Sequence, residues 1–324
     1  MTTGTGIGAN YSSRAIIGRF YDRLNNTAPP DWVPRVAYRV DSDQPSETYK
    51  WLGMSPAMRE WVGGRAAAGF RSNGITIENK VFEATVDVNV DDIRRDKTGQ
   101  FMARIDELPN RAQQHRASLL STLILNGEAT ACYDGQYFFD TDHSEGSSGT
   151  QDNDLVFDIS DNFGATPAFP VGTATAPAAI TIQGAVLKAV QAILGFKDDK
   201  GEPLNEGAMQ FDVMVPTTFM GETIKALTMP LIGGGDSNVL TSNMFTLRPV
   251  INPRLTWTTK LAVFRTDGIV KPFIEQVELD PTIQAIADGS ELEINERTHR
   301  YTVTRIGNVG YGYWQHACLV TLQA

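Results

Sequence analysis

The chain has 324 residues, 41% hydrophobic and 20% charged, with 28 Lys and Arg against 38 Asp and Glu for a formal charge of −10. This composition excludes a disordered or fibrous chain, and at roughly 150 residues per domain the length suggests about two domains with ample core. The absence of an apolar run near the roughly 18 residues of a membrane span, of an apolar signal region in residues 1–10, and of any cysteine beyond Cys132 and Cys318 argues against membrane contact, secretion and a disulfide framework. A reducing cytoplasm fits.

The charge is unevenly placed. Residues 1–40 hold Arg14, Arg19, Arg23, Arg35 and Arg39 against Asp22 and Asp31, so a segment at +3 precedes a body at −13. An acidic body is unlike a sequence-reading DNA protein, which carries a basic face on its folded domain. A basic arm can still lie against a polyanion.

In chain order, residues 1–44 read as an extended arm, with one amphipathic stretch (Ala15, Ile16, Phe20, Leu24) able to form a helix before Pro29-Pro30 stops it. Residues 76–90 alternate with period two, placing Val86, Val88 and Val90 on one face of a strand. With the turn signals Gly63-Gly64 and Ser72-Asn73-Gly74, and a short helix around residues 55–61, this predicts a long two-stranded excursion with too little core to stand alone. The strongest helix spans Pro109 to Leu125, and Pro109 suits a first-turn position after a separate short helix over residues 100–107. Residues 144–179 shift to loop composition and mark the expected boundary. Beyond it, Ile182, Val186, Ala189, Val190 and Ile193 form a helix face, Phe211, Val213 and Val215 a strand, and 217–227 a second helix. Strands are expected over 245–251, 261–265 and 273–279, then separately over 301–304, 309–314 and 318–322. Mixed strands and helices without regular βαβ alternation predict an α+β fold.

The most ligand-like cluster is Asp140-Thr141-Asp142-His143, which could serve a metal-assisted hydrolase. No second ligand motif lies at a recognisable spacing, and the run opens a polar loop, so a turn is the expectation and no catalytic residue, metal or cofactor is assigned. There is no nucleophile elbow, phosphate-binding loop or dinucleotide fingerprint, so no enzyme is expected. The segment 49–65 instead places Trp51 and Trp61 beside Arg59, Glu60 and Arg65, the residue types that protein interfaces favour at their hot spots.

Tyr49-x-Trp51-Leu52-Gly53, Met58-Arg59-Glu60-Trp61, Gly63-x-Arg65 and Asn79-Lys80-x-Phe82-Glu83-x-Thr85-Val86 resemble, in order, the major head subunit of Mu-like phages. So do Cys132-Tyr133-Asp134-Gly135-Gln136-x-Phe138-Phe139-Asp140-Thr141-Asp142-His143, the most specific match, and Asn308-Val309-Gly310-Tyr311-Gly312-Tyr313-Trp314-Gln315. The resemblance implies the tailed-phage capsid fold of the Hong Kong 97 type. It assigns 1–44 to an N-terminal arm, 45–90 to the E-loop, and 91–164 to a peripheral domain with a spine helix. It assigns 165–265 to an axial domain, 266–315 to strands returning to the peripheral domain, and 316–324 to a last strand rejoining the axial domain. The implied function is a head subunit that self-assembles through hexamers and pentamers into an icosahedral shell around double-stranded DNA. An encapsulin-like nanocompartment shell is the alternative within the fold. Implied partners are further copies of the chain, a portal protein, a decoration or minor capsid protein, and a scaffolding protein. The scaffold is expected to be separate, since only about 45 residues precede the E-loop. The virion, with the host cytoplasm during assembly, is the implied location. Trp51, Arg59, Glu60, Trp61, Arg65 and Lys80 are the expected inter-subunit contacts of the E-loop. Arg14, Arg19 and Arg23 are the expected DNA-facing residues, with Arg35 and Arg39 expected to contact protein.

Overall fold

Two apolar residues one turn apart, Ile16 and Phe20, are fully buried and drive the first helix, α1 (Ser13–Asn26), whose exposed side carries Arg14, Asp22 and Arg23. It opens the computed structural model, which describes residues 13–50, 74–95, 100–160, 171–232, 236–242 and 244–324. The helix that the amphipathic stretch is expected to be able to form is present over residues 13–26. The amphipathic stretch makes a full helix because a partner face exists to bury it.

After α2 (Val33–Val36), strand β1 (Ala37–Asp41) leads to β2 (Ser46–Tyr49), which pairs antiparallel with β3 (Ile75–Glu78). One residue later β4 (Lys80–Asn89) begins, with the alternation seen in the sequence, and α3 (Val90–Arg95) closes it. The expected helix at 55–61 and the turn at 63–64 lie outside the described residues. Helix α4 (Gln100–Leu125) runs unbroken through Pro109, which corrects the expected two-piece arrangement. Proline there removes the bond to the Ile105 carbonyl. Ile105 and Leu108 are anchored in an apolar cluster with Ile16, Phe20, Ile283, Tyr301 and Val303, and this packing holds the helix together across the gap.

The remainder of the chain builds β5 (Asp154–Asp158), the two-residue strands β6 (Gly172–Thr173) and β7 (Ala176–Pro177), α5 (Ala179–Gly195) and β8 (Gln210–Val215). Then come α6 (Met220–Thr228), the short pair β9 (Leu231–Ile232) and β10 (Asp236–Ser237), β11 (Thr246–Ile251) and β12 (Lys260–Arg265). The long ribbon β13 (Phe273–Ile286) and β14 (Thr298–Tyr311) flanks α7 (Glu291–Glu296), and β15 (Ala317–Gln323) follows. The sequence suggested a break inside β14. Buried positions instead alternate through His299, Tyr301, Val303 and Arg305, and the ladder continues because Arg305 has a buried partner.

Two sheets organise these elements. One has the order β1-β13-β14-β4, with β1 parallel to β13 and the rest antiparallel. The other has the order β11-β8-β12-β15-β5, with its parallel pairs at the two edges. Strand β8 is buried along almost its whole length, as a central strand covered on both faces must be. Its one charge, Asp212, is fully buried and accepts from Arg35 Nε at 2.8 and 3.1 Å. Burial nevertheless pushes the Asp212 carboxyl up, with Arg35 opposing. Helix α5 is buried on most of its circumference and covers this sheet.

The four-stranded sheet meets α4 around a buried carboxylate. Glu275 on β13 is 1% exposed and accepts from Arg305 Nη2 at 2.8 Å and from Arg116 Nε at 2.6 Å. Arg116 Nη2 reaches its other oxygen, making the pair bidentate. Removing one partner of such a buried set leaves an uncompensated charge, at a cost of about 3–5 kcal/mol. Glu275→Gln is therefore expected to lower stability by about that amount in denaturant unfolding of the chain. A loss within the ~1 kcal/mol of an exposed pair would show that the arginines do not depend on it.

Candidate assembly and DNA-facing surfaces

The three arm arginines fare differently once α1 is docked. Arg19 donates from Nε and Nη2 to Asp106 of α4 at 2.6 and 2.5 Å, and Arg23 lies 3.5 Å from the same carboxylate. Arg14 is exposed near the start of the helix. Arg19 thus pairs within its own chain while 40% of its side chain stays exposed. The helix start is fastened too, since the Ser13 hydroxyl and amide both donate to Asp288. Arg35 and Arg39 contact protein, the first through Asp31 and Asp212, the second through Asp41 and Asp280.

Of the expected E-loop contacts, Trp51, Arg59, Glu60, Trp61 and Arg65 lie outside the described residues. Lys80 is exposed at the first position of β4, opposite Gly307. The root of the excursion is held by Gln276 of β13, which accepts from the Tyr49 hydroxyl at 2.7 Å and donates to Asn79 at 2.8 Å and to the Ile77 carbonyl. Sequence patterning had not pointed to Gln276; a polar residue on an otherwise apolar strand run was its only trace. Beyond the root, β4 is the edge strand of its sheet, with Val81 67% exposed. Between β4 and α4 lies an apolar recess of about 260 Å³, lined by Phe82, Ala84, Leu108, Ala112, His115 and Val303. An open edge beside apolar surface is what pairing with another chain requires.

The most specific motif proves to be a packing device. Asp134 accepts from the Cys132 thiol at 2.9 Å and from His143 Nδ1 at 2.7 Å. Burial pushes its carboxyl up, but the bonds from His143 and Cys132 prevail and hold it below the usual range. The His143 ring is fully buried and stacks on Trp314 at 3.9 Å and 9°. Asp140 accepts from the backbone amides of Tyr137 and Thr141, and Asp142 accepts from the Gln136 side chain. These two acids do not converge with His143; they shape the turn, as short polar side chains do at strand exits.

Arg19, followed by Arg23, holds the Asp106 carboxyl below its ordinary value of 3.8. A depressed carboxylate stabilises above its unfolded pKa and loses that contribution as pH falls through the folded one. The docking of α1 on α4 should therefore weaken below about pH 4, by about 1 kcal/mol for a pair whose arginine is partly exposed. Asp106→Asn should reproduce the loss at pH 7 and abolish its pH dependence, as read by amide hydrogen exchange across residues 13–26. Equal protection at pH 7 and pH 3 in the wild type would contradict it.

Comparison with known proteins agrees with this architecture. Residues 13–171 match the family model described as Mu-like prophage major head subunit gpT. The Mu-like prophage FluMu major head subunit of Haemophilus influenzae is 37% identical over 141 residues, covering 43% of this chain and 46% of the relative. The major capsid protein of Escherichia phage Mu is 37% identical over 114 residues, covering 35% and 37%. The matched stretches thus span under half the length of each relative. Over nearly the whole chain, the procapsid of bacteriophage JBD30 is similar in fold, with a TM-score of 0.54 at 24% identity, covering 96% of this chain and 75% of that one. Residues 13–171 thus resemble the Mu-like major head subunits, and the fold of the chain is the α+β fold of tailed-phage capsid proteins.

Proposed function

We propose that this chain is the major capsid subunit of a tailed bacteriophage, assembling through hexamers and pentamers into an icosahedral shell around double-stranded DNA. The observation that carries the reading is the agreement of two independent signals. A head-subunit family matches residues 13–171, and a capsid fold extends over 96% of the chain. The chemistry fits a structural role, because the motif with the most ligand-like residues is spent on hydrogen bonds and ring stacking. The site of action is the virion head, reached after assembly in the host cytoplasm. In this reading residues 45–90 are the E-loop, α4 is the spine helix, and the five-stranded sheet with α5 and α6 forms most of the axial domain.

A shell subunit must bury surface on neighbours that sit at slightly different angles. The exposed edge of β4 supplies apolar surface for that purpose. A separate scaffolding protein sets the curvature, a portal protein occupies one vertex, and a minor capsid protein decorates the outside. Within the arm, Arg14, Arg19 and Arg23 are the residues that face DNA in this reading, Arg14 being exposed near the helix start. Their contribution is blind to sequence and falls with salt.

Co-expression with the phage's scaffolding protein should yield particles far larger than the monomer in sedimentation, and closed shells in electron micrographs. A persistent monomer under those conditions would sink the assignment, and shells that copurify with a cargo enzyme would move it to a nanocompartment. Trp61→Ala should impair shell formation while leaving the melting of the isolated subunit near that of the wild type. Truncation of a buried interface anchor typically costs at least about 2 kcal/mol, multiplied over every copy. Collapse of the isolated subunit with normal assembly of the folded fraction would make Trp61 a core residue instead.

A further inference from the structure

We propose that Asp288, Glu293 and His299 form a divalent-metal site of the zinc class at the tip of the β13–β14 ribbon. The three residues come from the turn after β13, from α7 and from the second position of β14, and their ligand atoms all lie within 4.8 Å of one another. His299 is 4% exposed, and neither of its ring nitrogens has a hydrogen-bond partner among the described residues. Its Nε2 points at Glu293 Oε1 at 3.3 Å and at Asp288 Oδ1 at 3.8 Å. A buried imidazole aimed between two carboxylate oxygens, without bonding geometry to either, is an arrangement that a cation completes.

The other oxygen of each acid is already used, and this fixes which atoms are left for a metal. Asp288 Oδ2 accepts from the Ser13 hydroxyl at 2.8 Å and from its amide at 3.2 Å. Glu293 Oε2 accepts from the Gly289 amide at 2.6 Å, and the Ser290 hydroxyl accepts from the Glu293 amide to set the start of α7. Such outer bonds orient metal ligands. The nearest arginine, Arg297, is paired with Asp91, and among the described residues no lysine or arginine pairs with Asp288 or Glu293. Zinc bonds of about 2.0–2.1 Å in tetrahedral geometry put neighbouring ligand atoms roughly 3.3 Å apart. The Nε2 to Oε1 distance already meets that figure, and Asp288 needs a shift of only a few tenths of an ångström. One imidazole and two carboxylates leave the fourth position to water. The buried Cys132, Asp134 and His143 set is less suited, because its thiol and imidazole both donate to the one carboxylate between them.

The site does not depend on the capsid assignment. Its consequence is local: a metal there ties α7 and the ribbon tip to the first residue of α1 through Asp288. The test uses the full chain, stripped with chelator, dialysed and titrated with zinc sulfate by calorimetry, with thermal melting in parallel. The expected result is one zinc per chain and a higher melting temperature. Glu293→Gln and His299→Gln should each weaken binding by about tenfold or more, the loss that even an outer-shell partner can cause. Cys132→Ser should bind as the wild type does. Glu293 lies at the surface, so its variant decides the matter if the His299 variant fails to fold. No zinc uptake by the wild type, unchanged affinity in Glu293→Gln, or loss of binding in Cys132→Ser would each overturn the proposal.

Discussion

Burying a carboxylate is tolerable only where its charge is answered and both its oxygens are hydrogen-bonded, and Glu275 meets that condition with two arginines from different parts of the chain. Arg116 comes from the C-terminal half of α4 and Arg305 from the neighbouring strand β14. The helix cannot slide along the ribbon without breaking a bidentate contact, and the strands cannot slip by one residue without turning Arg305 to the opposite face. Everything attached to the ribbon inherits that alignment. The paired strands β2 and β3 follow through Gln276, the next residue on β13, and α1 follows through the apolar cluster it shares with α4, Ile283 and Tyr301. A polar linchpin of this kind gives position more than it gives stability.

Elements defined by their own periodicity were legible in the sequence. Strand β4, helix α5 and strand β8 appear where alternation or helical spacing placed them, because each carries a pattern its partners merely accept. Elements defined by what they pack on were not. Helix α1 looked like one amphipathic stretch in an extended arm, since nothing local says that α4 offers a face for Ile16 and Phe20. Pro109 argued for a helix start by the usual rule, and long-range packing overrode it. Arg305 and Asn308 made β14 look like two strands, for a charge in a strand interior reads as a break until its partner thirty residues away is known.

The candidate site shows the same division. Asp134 to His143 and Asn308 to Gln315 could each be singled out as motifs, but the stacking of His143 on Trp314 that joins them could not. The basic character of the arm was a matter of counting. That Arg19 spends its charge on Asp106 required the fold, since a salt bridge 87 positions apart leaves no mark in a local window. Asp288, Glu293 and His299 lie at spacings that match no metal motif and are brought together only by the reversal between β13 and β14.

Strand β1 has its partner more than two hundred residues further along, with Ala37 beside Phe273, and β15 enters the five-stranded sheet between β12 and β5. Neither sheet can therefore close on a nascent chain until residues as late as 311 and 323 have been synthesised. Contacts of such long range make folding slow and leave apolar strands waiting. They also impose an order of events. While ribosomes are still translating the message, the unfinished chains lack the completed β1-β13-β14-β4 sheet on which the outer edge of β4 depends. The open edge of β4 and the apolar recess beside it thus come into being only as each chain approaches its last strand.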